Sequence, residues 1–418
     1  MHRIEVCARP ASPAETGAAG AGGRGRGNIF RVTATALMTH ARNLLSLPLE
    51  RQIGQLLFIG LPGTDLDEEA RQLVEYVRPG GVIVFGRNVA APQQLRTLLD
   101  GVRSLLDYEP LVGVDQEGGL VDRLRKVCTP MPAARAIRQH GDLAAARTLG
   151  RVTGEVLRLL GFNMNFAPVM SIMTDDRDLL SNGLYSRSFG RSPGEVLGYT
   201  MTYLRALQAT GCLGCLKHFP GIGAGEVDSH EEMPVIHLSH DDLIAQDLAP
   251  YIEIFQREDN RASAVMVSHG GFPNIDIHRG IAGGPLIPAS INYDIVTRLL
   301  REELAFDGLV VTDDLEMGAI AKHCEIEEAA LRAILAGEDM LLICARPDLI
   351  RRGFDGLVAA ARKGFISPGR IAASLERIAA FRSLTRPPLP FDPSRLQELS
   401  MEVAELNRKL NYVYGGKI

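Results

Sequence analysis

Residues 308–314 read GLVVTDD. An unbroken apolar run with two β-branched valines leads straight into two aspartates. Continuous rather than alternating hydrophobicity marks a strand covered on both faces, as in a parallel sheet. The same construction recurs at QLLFIG (55–60), GVIVFG (81–86), LVGVDQE (111–117), NMNFAPV (163–169), CLKHFP (215–220), AVMVSH (264–269) and DMLLICA (339–345). Helix-like segments such as DEEARQLVEYV, LAAARTLGRVTGEVLRLLG and IEEAALRAILAGE lie between the runs. Eight strand-helix alternations predict an α/β chain built as a single (β/α)8 TIM-type barrel. An open, doubly wound sheet gives the same alternation, and counting runs does not distinguish the two.

The flanks complete the domain map. A chain of 418 residues accommodates one barrel of about 250 residues with extensions. Residues 1–38, including the glycine-rich TGAAGAGGRGRGN, read as a disordered extension or a translation artefact, and 39–385 as the barrel. Residues 386–418 form a proline-rich linker and a helix with an apolar stripe at Leu396, Leu399, Val403, Leu406 and Leu410. That stripe is expected to pack back on the barrel, a dimer contact being the alternative. Gly20, Gly22 and Gly25 match GxGxxG, but no strand precedes them, so a dinucleotide site is discarded.

Net charge of −5 gives no reason to expect nucleic acid or an anionic membrane as partner. No apolar stretch reaches the roughly 20 residues of a transmembrane helix, and the first 37 residues lack a signal h-region. The cysteines (Cys7, Cys128, Cys212, Cys215, Cys324, Cys344) are scattered without a disulfide framework, so a reduced, cytoplasmic protein is expected. Cys212 and Cys215 form a CxxC with no second pair and read as small buried residues entering a strand.

Polar residues gather where the apolar runs end: Asp115-Gln116-Glu117, Lys217-His218, Ser268-His269 and Asp313-Asp314. In a barrel these all fall on the C-terminal rim, where active sites are built. The stretch CLKHFPGIGAGEVDSHEE (215–232) joins that rim and adds Asp228-Ser229-His230 on a glycine-rich loop. Any one cluster reads equally well as a solvated loop; four at one end of four strands do not.

In KHFPG…DSH and VVTDDLEMGAI, and more broadly over residues 46–350, the sequence resembles the β-N-acetylhexosaminidase branch of glycoside hydrolase family 3, the NagZ-like enzymes. The resemblance implies a retaining exo-glycosidase that releases terminal β-linked N-acetylglucosamine, in bacterial cell-wall recycling, without metal or organic cofactor. It places the nucleophile at Asp313 and the acid/base at His230, with Asp228 beside it. It places sugar contacts at Asp115, Arg187, Lys217, His218 and His269. Its partner is then a small carbohydrate, and the oligomeric state stays open. The chemistry suits these residue types: a carboxylate forms the covalent glycosyl intermediate. A histidine with an ordinary pKa of about 6.5 serves as acid and then as base, and an aspartate holds its tautomer.

Three positions depart from the family pattern: Leu120 and Ile222 stand where basic residues are usual, and Ser171 where an aspartate is usual. A phosphorylase that lets phosphate attack the same intermediate, substrate-assisted chemistry, and a non-catalytic amino-sugar-binding barrel remain as alternatives.

Overall fold

The computed structural model describes residues 42–180, 182–229, 231–257, 264–275 and 286–415. The extension expected to be disordered, Cys7, the discarded GxGxxG glycines and His230 lie outside these residues.

The described strands of the main sheet are β1 (Leu57–Gly60), β2 (Gly81–Val84), β3 (Leu111–Val114), β4 (Met164–Asn165), β5 (Leu213–Gly214), β6 (Leu216–Phe219), β7 (Ala264–Val267), β8 (Leu309–Asp314) and β9 (Met340–Ile343). All pairs are parallel, in the order β5-β4-β3-β2-β1-β9-β8-β7-β6. The two ends of that order, β5 and β6, are consecutive in the chain, separated only by Cys215. The Cys215 amide donates to the carbonyls of Asn165 (3.0 Å) and Ala167 (3.1 Å). One residue pair further on, the Met170 amide donates to the Lys217 carbonyl at 2.7 Å, and Val169 bridges Lys217. The sheet therefore closes through its interrupted fifth strand. It is the expected barrel, and the open sheet is excluded.

Several runs are shorter as strands than as apolar stretches. Gln55 ends the helix Leu49–Gln55, and NMNFAPV pairs as a strand only at Met164–Asn165. The third run stops at Val114 and continues as a small antiparallel hairpin, Gln116–Gly118 with Val121–Asp122, above the rim.

Glycines on the strands make room for the barrel interior. Phe58 and Phe166 meet edge-to-face with centroids 5.4 Å apart. A Cβ at Gly81 would lie 2.3 Å from Phe58, and one at Gly113 would lie 2.5 Å from Phe166. Large rings on one strand are thus matched by missing side chains on a neighbour, which is how a closed barrel fills without overpacking.

The C-terminal helix Pro393–Lys409 starts at Asp392, whose carboxylate accepts from the Ser394 and Arg395 amides. Leu396, Leu399, Val403 and Leu406 are buried in the same core as Leu149 and Val156 of the helix Leu143–Leu160. Arg395 bridges to Glu155 at 2.6 Å. The stripe packs on the barrel, not outward. Its linker is held by Arg158, which donates to the carbonyls of Arg386 and Pro387 at 2.5 Å each. Among the described residues no helix is long and apolar enough to cross a membrane.

Candidate active site

A cavity of about 310 Å³ opens at the C-terminal rim. Asp115, Arg187, Lys217, His218, Asp228 and Asp313 all line it, so the barrel brings together residues that are 198 positions apart at the extremes (Asp115 to Asp313). Asp313 and Asp314 end β8. The Asp314 amide donates to Asp313 Oδ1 at 2.9 Å, leaving Asp313 Oδ2 3.9 Å from His218 Nε2. Asp314 also lines the cavity, but its Oδ1 accepts from the Glu316 amide at 3.1 Å, a turn-capping role. Burial pushes the Asp314 carboxyl up to about 7, with the charges of Glu316 and Asp313 adding to the rise. Near neutral pH this keeps two adjacent strand-end carboxyls from both being fully charged.

Opposite lies a chain of alternating charges. Lys217 Nζ sits 2.5 Å from Asp115 Oδ1 and 2.7 Å from Glu117 Oε1. Arg187 then grips Glu117 with two bonds of 2.8 and 2.9 Å. Burial opposes the charge on Glu117, but Arg187 and Lys217 outweigh it and hold this carboxyl well below the usual range. Burial would likewise lower Lys217, and Asp115 with Glu117 raise it instead. The ammonium is thus fixed at the cavity wall, fully charged and immobile, as a donor for hydroxyl groups must be.

Glu117 was visible in the sequence only as one of several rim polar residues; its partners lie 70 and 100 residues away. The hairpin places it. Gln116 Nε2 donates to Asp122 Oδ1 at 2.8 Å, and Asp122 Oδ2 accepts from the Met131 amide at 2.7 Å. Gly118 turns this hairpin at φ 90°, where a Cβ would also strike the Pro132 carbonyl at 2.3 Å. Arg123 also lines the cavity, its guanidinium 5.8 Å from the Phe85 ring centroid.

The glycine loop after β6 is held by its neighbours. Asn182 Nδ2 donates to the carbonyls of Gly223 (3.0 Å) and Gly225 (2.9 Å). Beneath it Arg177 and Asp247 form a buried ion pair with two bonds of 2.9 Å. Further along, the Ser229 carbonyl accepts from the Ala319 amide at 3.4 Å, which docks the Asp228 segment onto the turn after β8. His230 follows directly in the chain and lies outside the described residues.

His269, expected as a sugar contact, is not among the residues lining the cavity. It is fully buried, with Nδ1 2.7 Å from Ser290 Oγ and Nε2 2.9 Å from the Asp314 carbonyl oxygen. It supports the strand end that carries Asp313 and Asp314. Of the three departures, Ile222 is buried in the cavity wall, Leu120 is exposed on the hairpin turn, and Ser171 is buried. Among the described residues no group accepts from or donates to Ser171 Oγ. No cluster of three or more His, Cys, Asp or Glu side chains placed to hold a metal ion occurs among them either.

A closed parallel barrel whose C-terminal rim presents a strand-end carboxylate to a fixed lysine, histidine and arginine is the framework of a barrel hydrolase for polyhydroxylated substrates. The comparisons make this specific. Residues 48–381 match the glycosyl hydrolase family 3 N terminal domain. The chain is 32% identical over 298 residues to a β-hexosaminidase of Nitrosomonas eutropha, covering 70% of this chain and 81% of that protein. A β-hexosaminidase of Neisseria gonorrhoeae is 34% identical over 298 residues, covering 70% and 78%. Among solved structures, a family 3 β-N-acetylglucosaminidase from a Paenibacillus species superposes with a TM-score of 0.77 at 32% identity, covering 86% of this chain and 69% of that one. NagZ from Neisseria gonorrhoeae, in complex with N-trifluoroacetyl-D-glucosamine, gives a TM-score of 0.69 at 27% identity, covering 84% and 97%. The chain belongs to glycosyl hydrolase family 3 and is a glycoside hydrolase acting on O-glycosyl bonds.

Proposed function

We propose that this enzyme is a retaining exo-glycosidase that releases terminal β-linked N-acetylglucosamine, acting on cell-wall fragments in the cytoplasm. The observation that carries the reading is the placement of Asp313. It stands at the end of β8 in a cavity with Lys217 and His218, beneath the docked loop that bears Asp228. Relatives named as β-hexosaminidases, and a NagZ structure holding an N-acylated glucosamine analogue, support the sugar.

In the first half-reaction an Asp313 oxygen bonds to the anomeric carbon while the bond from that carbon to the leaving oxygen breaks. His230 gives its proton to the leaving oxygen, and Asp228 stabilises its charged form beforehand. In the second, water attacks the anomeric carbon, His230 takes the water proton, and Asp313 is released. Lys217, Asp115 and Arg187 hold the sugar hydroxyls through fixed charges, so a sugar of the wrong configuration leaves one of them unpaired.

The test is turnover of an aryl β-N-acetylglucosaminide beside an aryl β-glucoside, each with and without phosphate. Phosphate-independent release from the acetamido sugar alone is expected. Formation of a sugar 1-phosphate only when phosphate is present would make the enzyme a phosphorylase. Binding of the acetamido sugar without any turnover would leave a binding protein.

A further inference from the structure

Among the described residues a second cavity, of about 430 Å³, is lined by Leu44, Leu47, Arg51, Tyr108, Ala379 and Arg382 among others. Its surroundings fix its position. Gln55 and Gly80, which bond Arg382, and Glu109 come just before β1, β2 and β3 in the chain. The cavity therefore lies at the N-terminal rim, at the opposite end of the barrel from the active site.

Arg382 is 9% exposed and carries a full charge there. Its Nη2 donates to Gln55 Oε1 at 2.9 Å and to the Gly80 carbonyl at 3.2 Å, and its guanidinium lies 5.1 Å from the Tyr108 ring centroid. No described group accepts from its Nε. The nearby carboxylates are committed elsewhere: Asp107 to Arg51 (2.7 Å) and Arg78 (2.5 Å), and Glu109 to Arg103 (2.8 Å). Other guanidiniums sunk into this fold have an acid of their own, Arg177 with Asp247, Arg187 with Glu117 and Arg301 with Asp339. Arg158 has two carbonyls across its fork instead. Arg382 alone of this group faces a cavity with no carboxylate in ion-pair contact: Asp107 and Glu109 line the same cavity but are paired to other arginines, and burial drives the Arg382 pKa down to about 10 despite the more distant charge of Glu109. A buried charge without a partner is costly, and an anion entering the cavity would relieve that cost.

We infer that this cavity binds a small organic carboxylate, its charge against Arg382 and its apolar body on Leu44, Leu47 and Ala379. The cavity has ample room for a single ring with its substituents; Leu44, Leu47 and Ala379 supply apolar wall, and Asp107 and Glu109, each paired to another arginine, also line it.

Titration of the full chain with sodium benzoate, followed by thermal unfolding, tests this, with benzamide as the uncharged isostere and chloride at matched ionic strength. Benzoate is expected to raise Tm saturably, by about 2 °C at tenfold excess over its Kd, while benzamide and chloride leave it unchanged. Arg382→Gln, folded by circular dichroism, should abolish the shift. If that variant does not fold, Asn43→Glu supplies a carboxylate from an exposed position on the cavity wall, and should abolish the benzoate shift on its own. No benzoate shift up to its solubility limit overturns the inference. An equal shift with benzamide, or a shift that persists in either folded variant, overturns it too.

Discussion

Glu117→Gln is the sharpest test of the charged chain at the cavity wall. The substitution keeps the shape, removes one negative charge from between Arg187 and Lys217, and turns one of the two accepting oxygens into an amide donor. Each cation lies within 2.9 Å of a Glu117 oxygen, and the side chain is only 5% exposed. At that distance an effective dielectric of about 20 gives an attraction of roughly 6 kcal/mol per pair, before desolvation is subtracted. Lys217 keeps Asp115, so the uncompensated group is chiefly Arg187. Removing one partner of such a buried pair costs about 3–5 kcal/mol net. With about 2.1 cal/mol/K of unfolding entropy per residue over the roughly 360 described residues, that is a Tm loss of about 4–7 °C. The sign with pH is also fixed. A depressed carboxyl pKa stabilises the fold above the unfolded value of about 4.3, and the contribution fades as pH falls through the folded one. The difference between wild type and variant should therefore be full at pH 7 and shrink steadily below about pH 4. Scanning calorimetry at several pH values measures both quantities. A Tm within 1 °C of wild type at pH 7, or a gap that does not narrow in acid, would refute the assignment of Glu117 as the anion that balances both cations.

Asp313→Ala should lower kcat by a factor of about a thousand or more on aryl glycosides with the fold intact, because only positioning and acid catalysis remain; near-wild-type turnover would remove Asp313 as nucleophile. Asn182→Ala leaves the Gly223 and Gly225 carbonyls without their donor, at about 1–3 kcal/mol. A fall in kcat and faster proteolytic nicking within 221–227 are expected, and unchanged values of both would show that the latch is dispensable. Glu338 is fully buried, among the described residues neither carboxyl oxygen has a hydrogen-bond partner, and burial holds its pKa far above the ordinary value. Stability should therefore be highest below about pH 4.3 for this group and decline as pH rises toward the folded pKa. Glu338→Met should raise Tm by about 1–4 °C at pH 8 and by less at pH 4; a lower Tm at pH 8 would mean that the carboxyl makes a favourable contact.

Most of the barrel was legible in the sequence because a strand buried on both faces has to be apolar throughout, and eight such runs stand out against helical spacers. Closure was not, since it depends on where Cys215 sends its amide, a backbone choice that side-chain type does not encode. Asp115, Lys217, His218 and Asp313 could be placed together from strand ends alone, because every strand of a parallel barrel delivers its end to one rim. Position at the end of a strand says nothing about which way the residue points. His269 shows this: it ends the sixth run as predicted, yet points inward to Ser290 and the Asp314 carbonyl. Asn182 lay in a stretch with no periodicity to read, and its function depends on carbonyls 41 and 43 residues away.

The Asn182 latch and the Ser229 contact share one property: both grip the glycine loop by its carbonyl oxygens and by no side chain of the loop. Every amino acid carries that oxygen, so these hydrogen bonds do not depend on the side chain at 222, although Gly221 (φ 125°) and Gly223, where a Cβ would lie 2.7 Å from the Ile172 carbonyl, have to stay glycine. A basic residue at position 222 can give way to isoleucine, altering what the cavity wall offers an aglycone, without loosening the support beneath Asp228. In an enzyme lineage this separates two traits that usually change together. Position 222 can change for new leaving groups while the hydrogen bonds that hold the Asp228 segment stay in place.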